Sequence, residues 1–205
     1  MKHVINHANS FIRDTVCGGY RHQLAKNRAS CNKAACYQEF WVMTPVRFNI
    51  LFDRDCTLIA DKHYLSNPDQ VELLPYVGES LGRLVKRDKA RLYVVSNQSG
   101  IGRGMFPDSA ATACNRKLAE ILAEFGVGFH EMLYCPHAPE AGCACRKPAP
   151  GMWQTLENNH CLEAASALMV GDKVEDMLFA RTAGFAGGVL VLTGPGIASA
   201  EQLWV

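Results

Sequence analysis

From residue 46 onward, short apolar runs alternate with longer stretches whose apolar positions recur every three to four residues. Arg47–Phe52 (RFNILF) is too short for a helix and runs into acids, which predicts a strand buried on both faces. Pro75–Asp88 carries Val77, Leu81, Leu84 and Val85 at helical spacing, and Pro75 suits a first turn. Arg91–Val95 (RLYVV) predicts a second strand, cut off by Ser96 and Asn97. Asp108 can cap a helix that runs to about Phe125, with Gly126 as its stop. Glu131–Tyr134 reads as a third strand, followed by a loop rich in Cys, Pro and Gly and a helix over Pro150–Asn159. Ala167–Val170 is a fourth strand, Val174–Ala183 a helix closed by Gly184, and Gly188–Leu192 a fifth strand. Such alternation implies an α/β fold with right-handed crossovers and a doubly wound, mostly parallel sheet. In sheets of that kind the functional groups gather beyond the carboxyl ends of the strands.

Residues 1–45 lack either period. They hold six Lys/Arg against two acids, whereas the other 160 residues hold 15 against 18. The pattern divides the chain into an extension at 1–45, expected to be poorly ordered, and a folded domain at 46–205. A formal net charge of +1 gives the whole chain no broad attraction to nucleic acid or anionic membrane. No apolar run approaches the ~18 residues that span a bilayer. Nine cysteines, three of them within eleven residues beside a histidine, favour metal over disulfides and a reducing, cytoplasmic setting.

Four strand ends carry the candidate chemistry. Asp53 and Asp55 follow the first strand at i and i+2, so that one carboxylate can attack phosphorus while the other handles the leaving-group proton. Ser96, Asn97, Gln98 and Ser99 follow the second strand and offer hydroxyl, amide and backbone donors for phosphate oxygens. Arg146 and Lys147 follow the cysteine loop and can neutralise phosphate charge. Asp172 follows the fourth strand within Gly171-Asp172-Lys173-x-x-Asp176, where a carboxylate suits Mg²⁺, a hard ion with oxygen ligands. Asp176 reads as a supporting acid. Taken singly, each of these is as easily a polar turn, a surface pair or a helix cap. A separate group, Cys135-x-His137 and Cys143-x-Cys145, matches a closed tetrahedral zinc site, which would brace the loop leading into Arg146 and Lys147.

The order D-x-D, Ser, Lys, G-D-x-x-x-D resembles the haloacid dehalogenase superfamily. The stretches DRDCTLIADKHYLSNPDQVELLP, SNQSGIGRGMF, CPH…CACRKPAPGM and MVGDKVEDM are similar to the D-glycero-D-manno-heptose 1,7-bisphosphate 7-phosphatase family over about residues 47–193. The resemblance implies a haloacid dehalogenase-like, Rossmannoid domain without a large cap domain. It further implies removal of the 7-phosphate of the heptose bisphosphate, in activated-heptose and lipopolysaccharide core synthesis. Asp53 is then nucleophile and Mg²⁺ ligand. Asp55 is proton donor, with its backbone carbonyl on the metal, and Asp172 is the last Mg²⁺ ligand. Ser96 and Lys147 hold the phosphoryl group. Asp61, Lys62, His63, Tyr64, Asn97, Gln98, Ser99, Arg146 and Lys173 contact the substrate. Cys135, His137, Cys143 and Cys145 bind structural Zn²⁺. The resemblance also implies a monomer whose partner is a small sugar phosphate. The sibling histidinol-phosphate phosphatases share the zinc loop and Arg-Lys-Pro, so histidinol phosphate or another small phosphomonoester is the alternative substrate.

Three departures stand out. Cys56 occupies the Gly position of D-x-D-G-T, where a positive φ or a close approach is expected, so its side chain is expected to crowd the loop. Only five residues separate His137 from Cys143. The chain reaches Val205 soon after the fifth strand, where the family continues with another helix, so a truncated end is expected. Cys56 and that end leave a further alternative, a non-catalytic relic that binds phosphate or zinc.

Overall fold

A computed structural model describes residues 48–88 and 90–203, so the reading of residues 1–45 as an extension lies outside the described residues. Five strands form one parallel sheet: β1 (Asn49–Phe52), β2 (Arg91–Asn97), β3 (Glu131–Cys135), β4 (Ala167–Gly171) and β5 (Gly187–Leu190), in the order β3-β2-β1-β4-β5. Every strand enters its neighbour through a crossover, as the alternation predicts. The winding reverses at β1, which lies between β2 and β4, so the crevice beyond Phe52 is the switch point of the sheet.

The helices are α1 (Val77–Asp88), the single turn α2 (Ser99–Gly102), α3 (Asp108–Ala123), α4 (Gly151–His160), α5 (Val174–Ala183) and α6 (Gly196–Leu203). Two apolar clusters fill the two faces of the sheet. On one face Ile50, Phe52, Leu92 and Val94 meet Leu81 of α1 and Cys114, Leu118 and Leu122 of α3. On the other, Leu51, Tyr93, Val95 and Met169 meet Met152, Trp153 and Leu156 of α4 and Phe179 of α5. Alternate residues of β1 therefore serve both clusters, which is why that strand is buried throughout. Truncating Leu118 or Leu122, both fully buried, costs about 2–5 kcal/mol for lost transfer energy and the cavity left behind.

Gly126 and Gly184 adopt the left-handed turns that close α3 and α5, at φ +71° and +73°. Two helices escaped the sequence pattern. The α2 turn contains two glycines among four residues and is held by tertiary bonds, such as Gly102 N–H to the Pro136 carbonyl at 2.8 Å. The α6 helix follows Gly194 and Pro195, which read as loop. Its presence corrects the expectation that the helix after the fifth strand is missing. Between β1 and β2 lie isolated bridges (Asp55 with Ile59, Ile59 with Leu73) and a short 3₁₀ turn at Pro68–Gln70, with no cap domain among the described residues.

Candidate active site

Asp53 is the first residue past β1. Its N–H donates to the Val170 carbonyl at 2.9 Å, which fixes the loop against β4, and the residue is 5% exposed. Lys147 approaches from the cysteine loop. Its ammonium donates to Asp53 Oδ1, Asp176 Oδ1 and the Val95 carbonyl, all at 2.7 Å. Burial alone pushes this amine toward neutrality, but Asp53 and Asp176 outweigh it and raise its pKa, so the cation is fixed. Asn97 pins the Lys147 backbone from the end of β2: Lys147 N–H donates to its Oδ1 at 3.0 Å, and its Nδ2 donates to the Lys147 carbonyl at 3.1 Å.

Asp172, the first residue past β4, is fully buried. Burial, then the neighbouring Asp53 carboxylate, pushes its pKa up to about 7. Its Oδ1 accepts from Thr57 Oγ1 at 3.4 Å, while Oδ2 has no partner. One ligand atom each from Asp53, Asp172 and Asp176 falls within 4.8 Å of the others. A buried, partnerless carboxylate oxygen beside a second carboxylate is a donor set that suits a hard divalent cation. Asp176 is already committed to Lys147 and to the Lys173 N–H at 3.0 Å, which agrees with a supporting role.

Asp53, Lys147 and Asp176 line a cavity of about 310 Å³, the size of a small-metabolite site. Of the predicted residues, Asp53, Asp55, Asp61, His63, Tyr64, Asn97, Gln98, Ser99, Arg146, Lys147 and Lys173 line it. Ser96 and Asp172 lie beneath the wall, both buried. Lys62 does not line the cavity; its ammonium is 2.8 Å from Glu72 beside a different depression. Lys173 is exposed, and Asp53 and Asp172 raise its pKa against the desolvation that lowers it. His63 and Tyr64 both take positive φ, +48° and +60°, and Asp61 Oδ1 accepts the His63 N–H at 2.8 Å. Sequence reasoning passed over Arg54 and Glu175, which also line the cavity. An arginine between two aspartates directly past a buried strand was the available signal for Arg54.

The cysteine loop folds its four groups together. The Sγ atoms of Cys135, Cys143 and Cys145 lie 3.2–3.5 Å apart, and His137 Nδ1 lies 3.3 Å from Cys145 Sγ and 3.6 Å from Cys135 Sγ. A zinc tetrahedron with ~2.3 Å bonds to sulfur sets ligands ~3.8 Å apart, so this spacing is a slightly tight version of it. The short span from His137 to Cys143 is bridged by a 3₁₀ turn at Pro139–Ala141 and Gly142 in the left-handed region. Cys145 leads directly into Arg146 and Lys147.

Cys56 does adopt the glycine-like conformation, at φ +60°. The crowding expected there is relieved by Gly194: a Cβ at 194 would lie 2.5 Å from Cys56 Sγ and 2.6 Å from its Cβ. The thiol is buried, and desolvation, with Asp172 next, pushes its pKa up to about 11, so it is an inert filler rather than a nucleophile. Thr193 Oγ1 donates to the Cys56 carbonyl and ties the two loops together.

Comparison with known proteins agrees with this geometry. A family model described as HAD-hyrolase-like matches residues 144–203. The chain is 40% identical over 156 residues to the D-glycero-beta-D-manno-heptose-1,7-bisphosphate 7-phosphatase of Haemophilus ducreyi, covering 72% of this chain and 85% of that one. It is 37% identical over 152 residues to the enzyme of the same name from Escherichia coli K12, covering 71% and 79%. The crystal structure of D,D-heptose 1.7-bisphosphate phosphatase from B. bronchiseptica, complexed with magnesium and phosphate, superposes with a TM-score of 0.71 at 33% identity, over 76% of this chain and 86% of that one. The fold and the strand-end groups thus define a phosphatase of the haloacid dehalogenase type, a phosphoric monoester hydrolase. Within that class, the chain belongs to the D-glycero-D-manno-heptose 1,7-bisphosphate 7-phosphatase family.

Proposed function

We propose that this chain removes the 7-phosphate of D-glycero-D-manno-heptose 1,7-bisphosphate through an aspartyl-phosphate on Asp53. The observation that carries the reading is the Asp53 carboxylate, 2.7 Å from the buried Lys147 cation on the floor of a cavity of small-metabolite size. Asp53 attacks phosphorus and forms the acyl phosphate as the bond to the sugar oxygen breaks. Asp55 delivers the proton that oxygen needs, and later takes one from the water that cleaves the acyl phosphate. Lys147 meets the charge on the transferring group without having to reorganise. Ser96 steadies a phosphoryl oxygen. Arg146, Lys173 and the loop of Asp61, His63 and Tyr64 hold the rest of the substrate, including its second phosphate. Mg²⁺ would be held by Asp53, Asp172 and the Asp55 backbone carbonyl, and when bound it neutralises phosphate charge. Zn²⁺ would be held by Cys135, His137, Cys143 and Cys145, with no open position and hence a structural role.

Among the described residues no helix is long and apolar enough to cross a membrane. A monomer working in the cytoplasm on a small sugar phosphate, with neither nucleic acid nor membrane as partner, fits the near-neutral charge and the thiolate cluster. The test is phosphate release by purified protein with Mg²⁺ from heptose 1,7-bisphosphate, histidinol phosphate and an aryl phosphate, with Asp53→Asn as blank. Preference for the heptose that vanishes in the blank is the expected result. Preference for histidinol phosphate replaces the substrate and keeps the chemistry. No release above the blank by folded protein overturns the reading and leaves a phosphate-binding relic.

A further inference from the structure

Arg54, the residue between the two catalytic aspartates, is 1% exposed, and a buried guanidinium persists only where its donors are met. Its Nε lies 3.4 and 3.2 Å from the two carboxylate oxygens of Asp55, and its Nη2 donates to Asp55 Oδ1 at 3.1 Å. Nη2 also donates to Gln98 Oε1 at 2.9 Å, and Nη1 to Asn115 Oδ1 at 3.0 Å. Gln98 Nε2 completes the ring, donating to Asp55 Oδ2 at 2.8 Å and to Ser96 Oγ. Asn115 sits on α3, is 7% exposed and does not line the cavity. Gln98 touches the cavity, yet both ends of its amide are spent inside the protein.

We infer that Arg54, Gln98 and Asn115 form a positioning network whose task is to hold the Asp55 carboxyl group aimed into the cavity, where it gives a proton to the leaving oxygen and then takes one from the attacking water. This inference rests on the chemistry given under Proposed function and reassigns Gln98 from substrate contact to positioning. With both oxygens engaged by a guanidinium and an amide, the Asp55 side chain is fixed in direction. Asn115 orients Arg54 from the far side, so that α3 sets the aim of a group it never touches. The network also joins Asp55 to Ser96, so the proton-handling and phosphate-holding groups move as one unit. A buried cross-brace between the β1 loop, the end of β2 and α3 would use the same bonds, and only kinetics separates the two roles.

The experiment compares Asn115→Ala and Gln98→Met with wild type in rapid-mix kinetics on an aryl phosphate, whose leaving group departs without a proton. Arg54→Met removes more but strips Asp55 of its ion pair, leaves Gln98 Oε1 and Asn115 Oδ1 without their donor and risks the fold, so the two milder variants decide. Formation of the acyl phosphate does not call on Asp55 here, whereas its hydrolysis does. Each variant is therefore expected to release a first equivalent of phenol within about threefold of the wild-type rate, then to turn over roughly 10–100-fold more slowly, a share of the usual contribution of general base catalysis. Burst and steady state falling together, or neither falling, overturns the inference and leaves a structural brace. Asp53→Asn in the same mixing experiment keeps the two claims apart. If that variant releases phenol as wild type does, the aspartyl-phosphate reading fails, whatever Asn115→Ala shows.

Discussion

Asp172→Asn should make the protein more stable and stop it working. Asp172 is buried, and its pKa is raised from 3.8 to about 7. The folded chain therefore holds this proton more tightly than the unfolded chain does. Between about pH 4 and pH 7 the native state binds more protons, so wild-type stability falls as pH rises through that window and levels off above it. A shift of about three units corresponds to about 4 kcal/mol at 1.36 kcal/mol per unit. Asparagine does not titrate, and its carbonyl can still accept from Thr57 Oγ1. The substitution is thus expected to leave stability unchanged near pH 4 and to raise it by on the order of 3 kcal/mol at pH 8. In a domain of this size that is about 6–12 °C in Tm. Melting is measured without added Mg²⁺ and without chelator, so that an ion held by the Cys/His cluster is not stripped. Adding Mg²⁺ reverses the order of benefit. Wild type gains about 2.7 kcal/mol at a concentration 100 times Kd, and the variant, having lost the charge that binds the ion, gains far less. An Asp172→Asn variant no more stable than wild type at pH 8, or one that Mg²⁺ stabilises equally, refutes the reasoning.

Other perturbations act on the same contacts. Gly194→Ala should cost about 1–3 kcal/mol, because the added methyl meets the Cys56 side chain at 2.5–2.6 Å at a residue of φ +50°, and Cys56→Gly should restore part of the loss in a double-mutant cycle read by denaturant unfolding. Cys145→Ser should release one tightly held metal, seen by elemental analysis, and lower kcat by more than about tenfold, since the loop it braces carries Lys147. Asn97→Ala removes both bonds that pin the Lys147 backbone; roughly 1–3 kcal/mol of stability should go with them, together with a fall in kcat larger than any change in KM.

The sheet was legible because its strands are short apolar runs ended by polar clusters, a signal that depends on burial alone. The same clusters exposed the site: a parallel sheet delivers the residue after each strand to one common edge, so Asp53, Ser96, Cys135 and Asp172 had to converge. Contacts between loops were not legible. Nothing local says that Lys62 turns to Glu72, that Asn97 serves the Lys147 backbone, or that an asparagine on α3 reaches Arg54. The departure at Cys56 was visible, but its compensation lies 138 residues away at Gly194 and needed the fold to be seen. Helix α6 was missed because Gly194, Pro195 and Gly196 read as loop, and only packing beyond β5 makes the next turns helical.

The most direct test tracks heptose 1,7-bisphosphate by phosphorus NMR during incubation with the protein and Mg²⁺. The expected result is that the 7-phosphate signal is replaced by inorganic phosphate while the anomeric 1-phosphate persists, and that Asp53→Asn leaves both signals unchanged. Loss of the 1-phosphate instead, or no loss from folded protein, would contradict it.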